Sequence, residues 1–247
     1  MTRTLDGKIA FVTGGSRGIG AGVVRRLAAD GAAVTFTYQS SAEAADELVK
    51  SVHESGGTAH AVKVDSGDAE ALRAAVRAVA AEHGGLDILV NNAGLGHFGP
   101  FEEISAEAYD RLLAVNLNAV FHASQEAVRA MPAGGRIITI GSVNAERNPV
   151  PGASIYALTK AGVAGFAKAL AREVGAKGIT VNTIQPGPVD TAMNPADGPF
   201  AELLRPHIAT GRYGTTDEVG ALVSYLSGPD AAYITGASIN VDGGFSI

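Results

Sequence analysis

Tyr156 and Lys160 stand four positions apart in YALTK, within a stretch, 154–174, whose spacing predicts a helix. Residues i and i+4 share a helix face, so a phenol and an ammonium become neighbours. A free tyrosine titrates at about 10, too high for proton exchange at neutral pH, and a nearby cation lowers it. The pair can serve as a general acid and base, or it can be an ordinary helix pair. Ser142 adds weight to the first reading. It follows the run Arg136–Gly141, at the C-terminal rim where open α/β sheets bind ligands. A hydroxyl there can bond a carbonyl oxygen while Tyr156 gives up its proton, although a turn serine satisfying local backbone is the plainer alternative.

A second group of residues could hold a phosphate. The run KIAFVT leads directly into Gly14-Gly15-Ser16-Arg17-Gly18-Ile19-Gly20, and a predicted helix follows. Glycines let the backbone turn tightly, and a helix N-terminus offers unpaired N–H groups and a positive dipole end. The spacing is G-x-x-x-G-x-G rather than the commoner G-x-G-x-x-G, and no Gly-Lys-Ser/Thr follows, which excludes a Walker A loop. The alternative is a glycine-rich βα turn without a ligand. The next strand ends in Thr37-Tyr38-Gln39-Ser40-Ser41, with no carboxylate before Glu43. An acid there would bond a ribose 2′-hydroxyl and repel a 2′-phosphate. Arg17 with Tyr38, Ser40 and Ser41 suits the phosphate instead, so NADP is expected over NAD.

The elements that must position these groups alternate along the chain. Strands are predicted at Ile9–Thr13, Val34–Tyr38, Ala61–Val64, Ile88–Asn91, Arg136–Gly141, Thr180–Ile184 and Ser238–Val241. Most are continuously apolar, as in a parallel sheet covered on both faces. Helices are predicted over 18–30, 41–55, 68–82, 105–131, 154–174 and 216–227, with start signals at Ser105 and Thr216-Asp217-Glu218. The pattern predicts an α/β, Rossmann-type, doubly wound fold with seven parallel strands and helices on both faces. No linker or repeat divides it, so residues 1–247 are expected to form a single domain. Five prolines between 186 and 215 mark a long loop, expected to be a substrate lid at about 190–213.

Composition excludes other classes. In 247 residues, 46% are hydrophobic and 18% charged, which supports a large core. Cysteine is absent, so disulfides, thiolate metal sites and a cysteine nucleophile are ruled out. The net charge of −6 without a basic run argues against nucleic acid. MTRTLDGK carries no apolar signal core, and the charge-free stretch 112–125 is too short to span a bilayer. A cytoplasmic protein without a membrane partner is expected. The histidines form no ligand-spaced cluster, so no catalytic metal is expected.

TGGSRGIG at 13–20, NNAG at 91–94, Asn116, Ser142, YALTK at 156–160, PGPVDT at 186–191 and INVDGG at 239–244 together resemble the short-chain dehydrogenase/reductase superfamily. The nearest group resembles the 3-oxoacyl-carrier-protein reductases. The likeness covers almost the whole chain, and its specificity lies in the order and spacing of motifs that are individually modest. It implies a carbonyl reductase moving a hydride between NADPH and a ketone or secondary alcohol. Tyr156 would be the acid in reduction and the base in oxidation. Lys160 would bind the nicotinamide ribose and lower the phenol's pKa, Ser142 would orient the carbonyl, and Asn116 would hold a water relaying protons to Lys160. Asn91, Asn92, Ala93 and Gly94 would shape the cofactor cleft, and Asp65 would meet the adenine amino group. Pro186, Gly187, Val189 and Thr191 would hold the nicotinamide. A homotetramer built from helices 105–131 and 154–174 is also implied, through small residues such as Ala114, Ala119, Ala123, Ala161, Ala164 and Ala167.

Two departures from the resemblance carry expectations. Ser142 and Tyr156 are 14 positions apart, where 13 is at least as usual in the resemblance, and one extra residue should alter the loop between Asn144 and Ser154. Pro132-Ala133-Gly134-Gly135 stands where carrier-protein reductases often have basic residues; Arg129 and Arg172 remain, and carrier-protein docking is not the favoured expectation. Substrate choice is expected to depend on Leu95, His97, Phe98, Asn144, Pro149, Val150 and an apolar lid over Met193–Leu204 with Phe200, Leu203 and Leu204. For His97, a solvated loop position is the plainer reading. The alternatives are an NAD-linked secondary alcohol dehydrogenase, a 3-oxoacyl thioester reductase and a non-catalytic nucleotide sensor.

Overall fold

Continuous apolar runs become strands whose successive side chains feed two cores, because neighbouring residues on a strand face opposite sides. In the computed structural model, which describes residues 3–247, Val12, Val34, Ile138 and Ile184 join one core and Phe11, Leu89, Ile137 and Val181 the other. The strands are β1 (Ile9–Val12), β2 (Ala33–Tyr38), β3 (Thr58–Lys63), β4 (Ile88–Asn91), β5 (Arg136–Ile140), β6 (Thr180–Pro186) and β7 (Ser238–Val241). All pairs are parallel, in the order β3-β2-β1-β4-β5-β6-β7. The order reverses between β1 and β4, and that is where an open sheet leaves a crevice beyond its strand ends.

Helices cover both faces. On one side, α1 (Gly18–Ala29), α2 (Ala42–Glu54) and α8 (Thr216–Ser227) bury Val24, Leu27, Leu48, Val223 and Leu226. On the other, α3 (Ala69–His83), α5 (Ala119–Ala130) and α6 (Ser154–Val174) bury Leu72, Val76, Ala123, Ala127, Ala167 and Ala171. No helix among the described residues is long and apolar enough to cross a membrane.

Several predicted boundaries move. Strand β3 starts at Thr58, ahead of the predicted Ala61, because it is a sheet edge whose early residues alternate between exposed and buried. The predicted helix 105–131 divides into α4 (Ala106–Leu113), a π-helical turn (Ala114–Asn118) and α5. Ser105 caps α4 as expected, accepting from the Ala108 N–H at 3.1 Å. The cap of α8 is Thr215, which forms a reciprocal capping box with Glu218. The proline-rich segment contains a short helix, α7 (Pro199–Leu204), started by Pro199 in its first turn.

Candidate active site

The glycine turn is held from both neighbouring strands. The Gly14 N–H donates to Thr37 Oγ1 at 3.0 Å, and the Gly15 N–H donates to the Thr37 carbonyl at 2.8 Å. From the other side, Asn92 Nδ2 donates to the carbonyls of Thr13 and Gly14 at 3.0 and 2.8 Å. Gly14 has φ 64°, and a Cβ there would stand 2.9 Å from Ala93 Cα, so both conformation and space require glycine. Arg17 occupies the N-cap of α1 without a side-chain cap bond, and the first turn has no acid. The leading N–H groups of α1 therefore remain available to an anion.

These elements open onto a cleft of about 1230 Å³. Gly14, Ser16, Arg17, Gly18, Ile19 and Gly20 line it together with Tyr38, Ser40, Ser41, Asp65, Asn92, Ala93 and Gly94. Tyr156, Lys160, Pro186, Gly187, Val189 and Thr191 line it from the other side. The uncapped helix end, the cationic Arg17 and this elongated wall fit a dinucleotide diphosphate with a 2′-phosphate. Asn91 does not take the part expected of it. It is buried, with Nδ2 donating to Ser124 Oγ at 3.1 Å, because adjacent strand residues face opposite sides and Asn92 is the one at the turn. Asp65 lines the cleft but is also ion-paired: Oδ1 accepts from Arg111 at 2.8 Å and from the Gly67 N–H at 2.8 Å. Arg111 lowers its pKa most. Arg111 is not legible in the sequence as a site residue, since only the fold brings it to Asp65, 46 positions away along the chain.

Tyr156 and Lys160 lie on the first turns of α6, as their spacing predicts. Lys160 Nζ sits 5.6 Å from the Tyr156 ring centroid and donates to the Ile140 carbonyl at 2.9 Å. Lys160 is buried, and burial brings its pKa down to about 8. Tyr156 differs from expectation. Burial pushes the phenol above its usual value, and the Ser142 hydroxyl beside it acts the other way. The protein's own groups thus keep the phenol protonated, because desolvation of a phenolate outweighs the Ser142 hydrogen bond, while the ammonium lies over the ring face.

Ser142 is buried at the end of β5. Its Oγ accepts from the Asn144 N–H at 3.1 Å and donates to Asn144 Oδ1 at 3.0 Å. Asn116 sits inside the π turn, a form common at functional sites. Its Oδ1 accepts from the Leu95 N–H at 2.8 Å, and its Nδ2 donates to the Leu95 carbonyl at 2.9 Å and Thr159 Oγ1 at 3.2 Å. These bonds tie the π turn to α6 and to the loop after β4. They do not reach Lys160, although both side chains flank Gly94, where an added Cβ would lie 3.5 Å from Lys160 Nζ and 3.6 Å from Asn116 Oδ1.

The apolar end of the cleft is formed by Leu95, Phe98, Val143, Pro149, Val150, Met193, Phe200 and Leu204. The Phe98 and Tyr156 ring centroids are 5.5 Å apart. Leu203 is half-exposed and outside the cleft, and the partly buried His97 also lies outside it. Phe245 also lines the cleft, on a segment whose local pattern gives no sign of it. Arg129 bonds Glu126 at 2.8 Å, which occupies one of the two arginines that could meet an acidic carrier.

The comparisons agree with this geometry. The profile of the family described as Enoyl-(Acyl carrier protein) reductase matches residues 14–246. The cyclic-di-GMP-binding biofilm dispersal mediator protein of Escherichia coli K12 is 48% identical over 239 residues, covering 97% of each chain. A short-chain dehydrogenase/reductase from Serratia marcescens is 55% identical and superposes with TM-score 0.97 over 99% of this chain and 100% of its own. A Burkholderia cenocepacia short chain dehydrogenase in complex with NADP is 48% identical, with TM-score 0.97 over 99% of this chain and 100% of its own. A glycine turn without a capping acid, a second strand without a carboxylate and a Tyr-Lys-Ser group at one rim thus stand in a chain similar from end to end to known dehydrogenases. The chain belongs to the short-chain dehydrogenase/reductase family of NAD(P)-dependent oxidoreductases.

Proposed function

We propose that the protein is an NADPH-dependent carbonyl reductase for ketones of modest, largely apolar structure, with residues 1–247 working as one domain and 190–213 as its lid. The observation that carries this reading is the meeting of Tyr156, Ser142 and Lys160 between the dinucleotide cleft and an apolar pocket under α7. NADPH, when bound, supplies the hydride. Tyr156 gives its proton to the carbonyl oxygen as negative charge develops there, and Ser142 orients that oxygen once its hydroxyl hydrogen turns from Asn144 Oδ1 towards it. Lys160 keeps positive charge beside the phenol and would bond the nicotinamide ribose of a bound cofactor. Asn116 fixes the turn from which a relay water is held. A phenol raised by burial stays protonated at neutral pH, the state in which it can act as the acid.

Initial rates over a ketone panel with NADPH and with NADH at equal concentration test the reading. NADPH is expected to be preferred, and Arg17→Ala is expected to raise KM for NADPH roughly tenfold while leaving KM for NADH nearly unchanged. A clear NADH preference would reverse the cofactor assignment in favour of an NAD-linked alcohol dehydrogenase. The name of the Escherichia coli relative supports a second reading, nucleotide sensing. It predicts cyclic-di-GMP binding and no turnover of any ketone or 3-oxoacyl thioester.

A homotetramer in the cytoplasm completes the proposal. Ala119, Ala123, Ala164 and Ala167 are buried within the subunit and are used by its own core. The surface left for a second copy is Phe121 and Leu158, 44% and 49% exposed, with Ala161, Gly162 and Gly165 also exposed on α6. Light scattering is expected to give four times the chain mass; a monomer at working concentration removes this part of the proposal.

A further inference from the structure

Ser142 lies one residue beyond the last regular ladder bond of β5, in which the Gly141 N–H donates to the Ile184 carbonyl at 2.7 Å. No backbone carbonyl takes the next N–H. The Gln185 side chain takes it instead: Gln185 Oε1 accepts from the Ser142 N–H at 2.6 Å. Gln185 is on β6, immediately before the cleft-lining Pro186, and is fully buried. Among the described residues its Nε2 has no hydrogen-bond partner, so the amide is not held in place by a second bond. The neighbouring residue is shaped to admit it. A Cβ at Gly141 would collide with Gln185 Oε1 and stand 2.8 Å from Thr183 Cγ2, so a larger residue would expel the amide from its place under Ser142.

A buried amide with one partner is costly unless that bond matters, because an unsatisfied polar group loses its hydration. We infer that Gln185 is a positioning residue for the reaction: through the Ser142 backbone it sets where the serine hydroxyl stands relative to the Tyr156 phenol. Gly141 is its required companion. The Ser142 side chain is held at the same time by Asn144, whose amide hydrogen-bonds Asn148 at 2.8 Å. Reaction needs the hydroxyl to turn from Asn144 towards the substrate, and only an anchored backbone lets it turn without the whole residue shifting. This inference rests on the proposed role of Ser142 and adds a residue that does not itself line the cleft.

The test is a double-mutant cycle on the full chain, with Gln185→Met, Ser142→Ala and both together, read as kcat, KM for NADPH and Kd for NADPH. Gln185→Met is expected to lower kcat roughly tenfold with KM and Kd for NADPH within about twofold of wild type. In the Ser142→Ala background the same change should cost less than about twofold, since the group through which it acts is gone. Gln185→Glu keeps an acceptor oxygen at the same reach and is expected to recover most of the turnover. If Gln185→Met does not fold, Gln185→Ser carries the same cycle. Multiplying losses in the double variant, or a Gln185→Glu protein no better than Gln185→Met, overturns the assignment of Gln185 alone. A Ser142→Ala protein with wild-type turnover overturns the role of Ser142 and this inference together.

Discussion

Replacing Tyr156 with phenylalanine lowers kcat/KM for ketone reduction by roughly 10²–10⁴-fold, the range expected on removing a positioned general acid. The substitution deletes one oxygen and leaves the ring, so the packing against Phe98 at 5.5 Å and the Lys160 ammonium over its face are kept. Kd for NADPH, followed by nucleotide fluorescence, is therefore expected to stay within about twofold, and the loss should fall on kcat. The size of the effect follows from the donors at hand. A carbonyl oxygen gaining negative charge beside Tyr156 has few other proton donors among the side chains, and Ser142 already shares its hydrogen with Asn144. Near-normal reduction by this variant would remove Tyr156 from the mechanism.

Lys160→Met should give the second largest loss, roughly a hundredfold in kcat/KM, with a changed pH profile. Burial lowers the Lys160 pKa to about 8, so the ammonium is present below that pH and lost above it. In the wild type, reduction is expected to be level from pH 6 to about 7.5 and to fall as pH rises through about 8. The fall has this sign because the charged form, disfavoured by burial, supports the phenol as it loses its proton. In Lys160→Met the limb near 8 should disappear, leaving a low rate that falls only at higher pH, where the raised phenol itself titrates. Measuring kcat/KM from pH 6 to 10 for both proteins separates this outcome from a uniform loss due to misfolding. A wild-type profile without a limb near 8, or a variant that retains it, would assign the titration to another group.

The sequence and the structure agree most closely where function depends on short-range order. The glycine turn, the cleft ends of β1, β4, β5 and β6, and the Tyr156–Lys160 pair follow from local spacing, and each lies where its motif puts it. Where order is not local, the sequence is mute. A one-residue widening such as the π turn at Ala114–Asn118 leaves the apolar pattern of 105–131 nearly unchanged, so the sequence reads as one helix there. Yet that widening places Asn116 against Leu95 and Thr159. The four-residue spacing placed Lys160 near Tyr156, but it carried no information on desolvation, which reverses the expected direction of the phenol's pKa. Gln185, Arg111 and Phe245 reach the site or its supports from separate strands, helices and loops. Only the folded chain brings them to Ser142, Asp65 and the apolar pocket.

The fate of the hydride tests the carbonyl reductase reading most directly. Incubating the protein with a reducible ketone and NADPH deuterated at both C4 positions, then weighing the product alcohol by mass spectrometry, should place one deuterium on the carbinol carbon. Unlabelled alcohol, or bound nucleotide with no alcohol from any ketone of the panel, would contradict it.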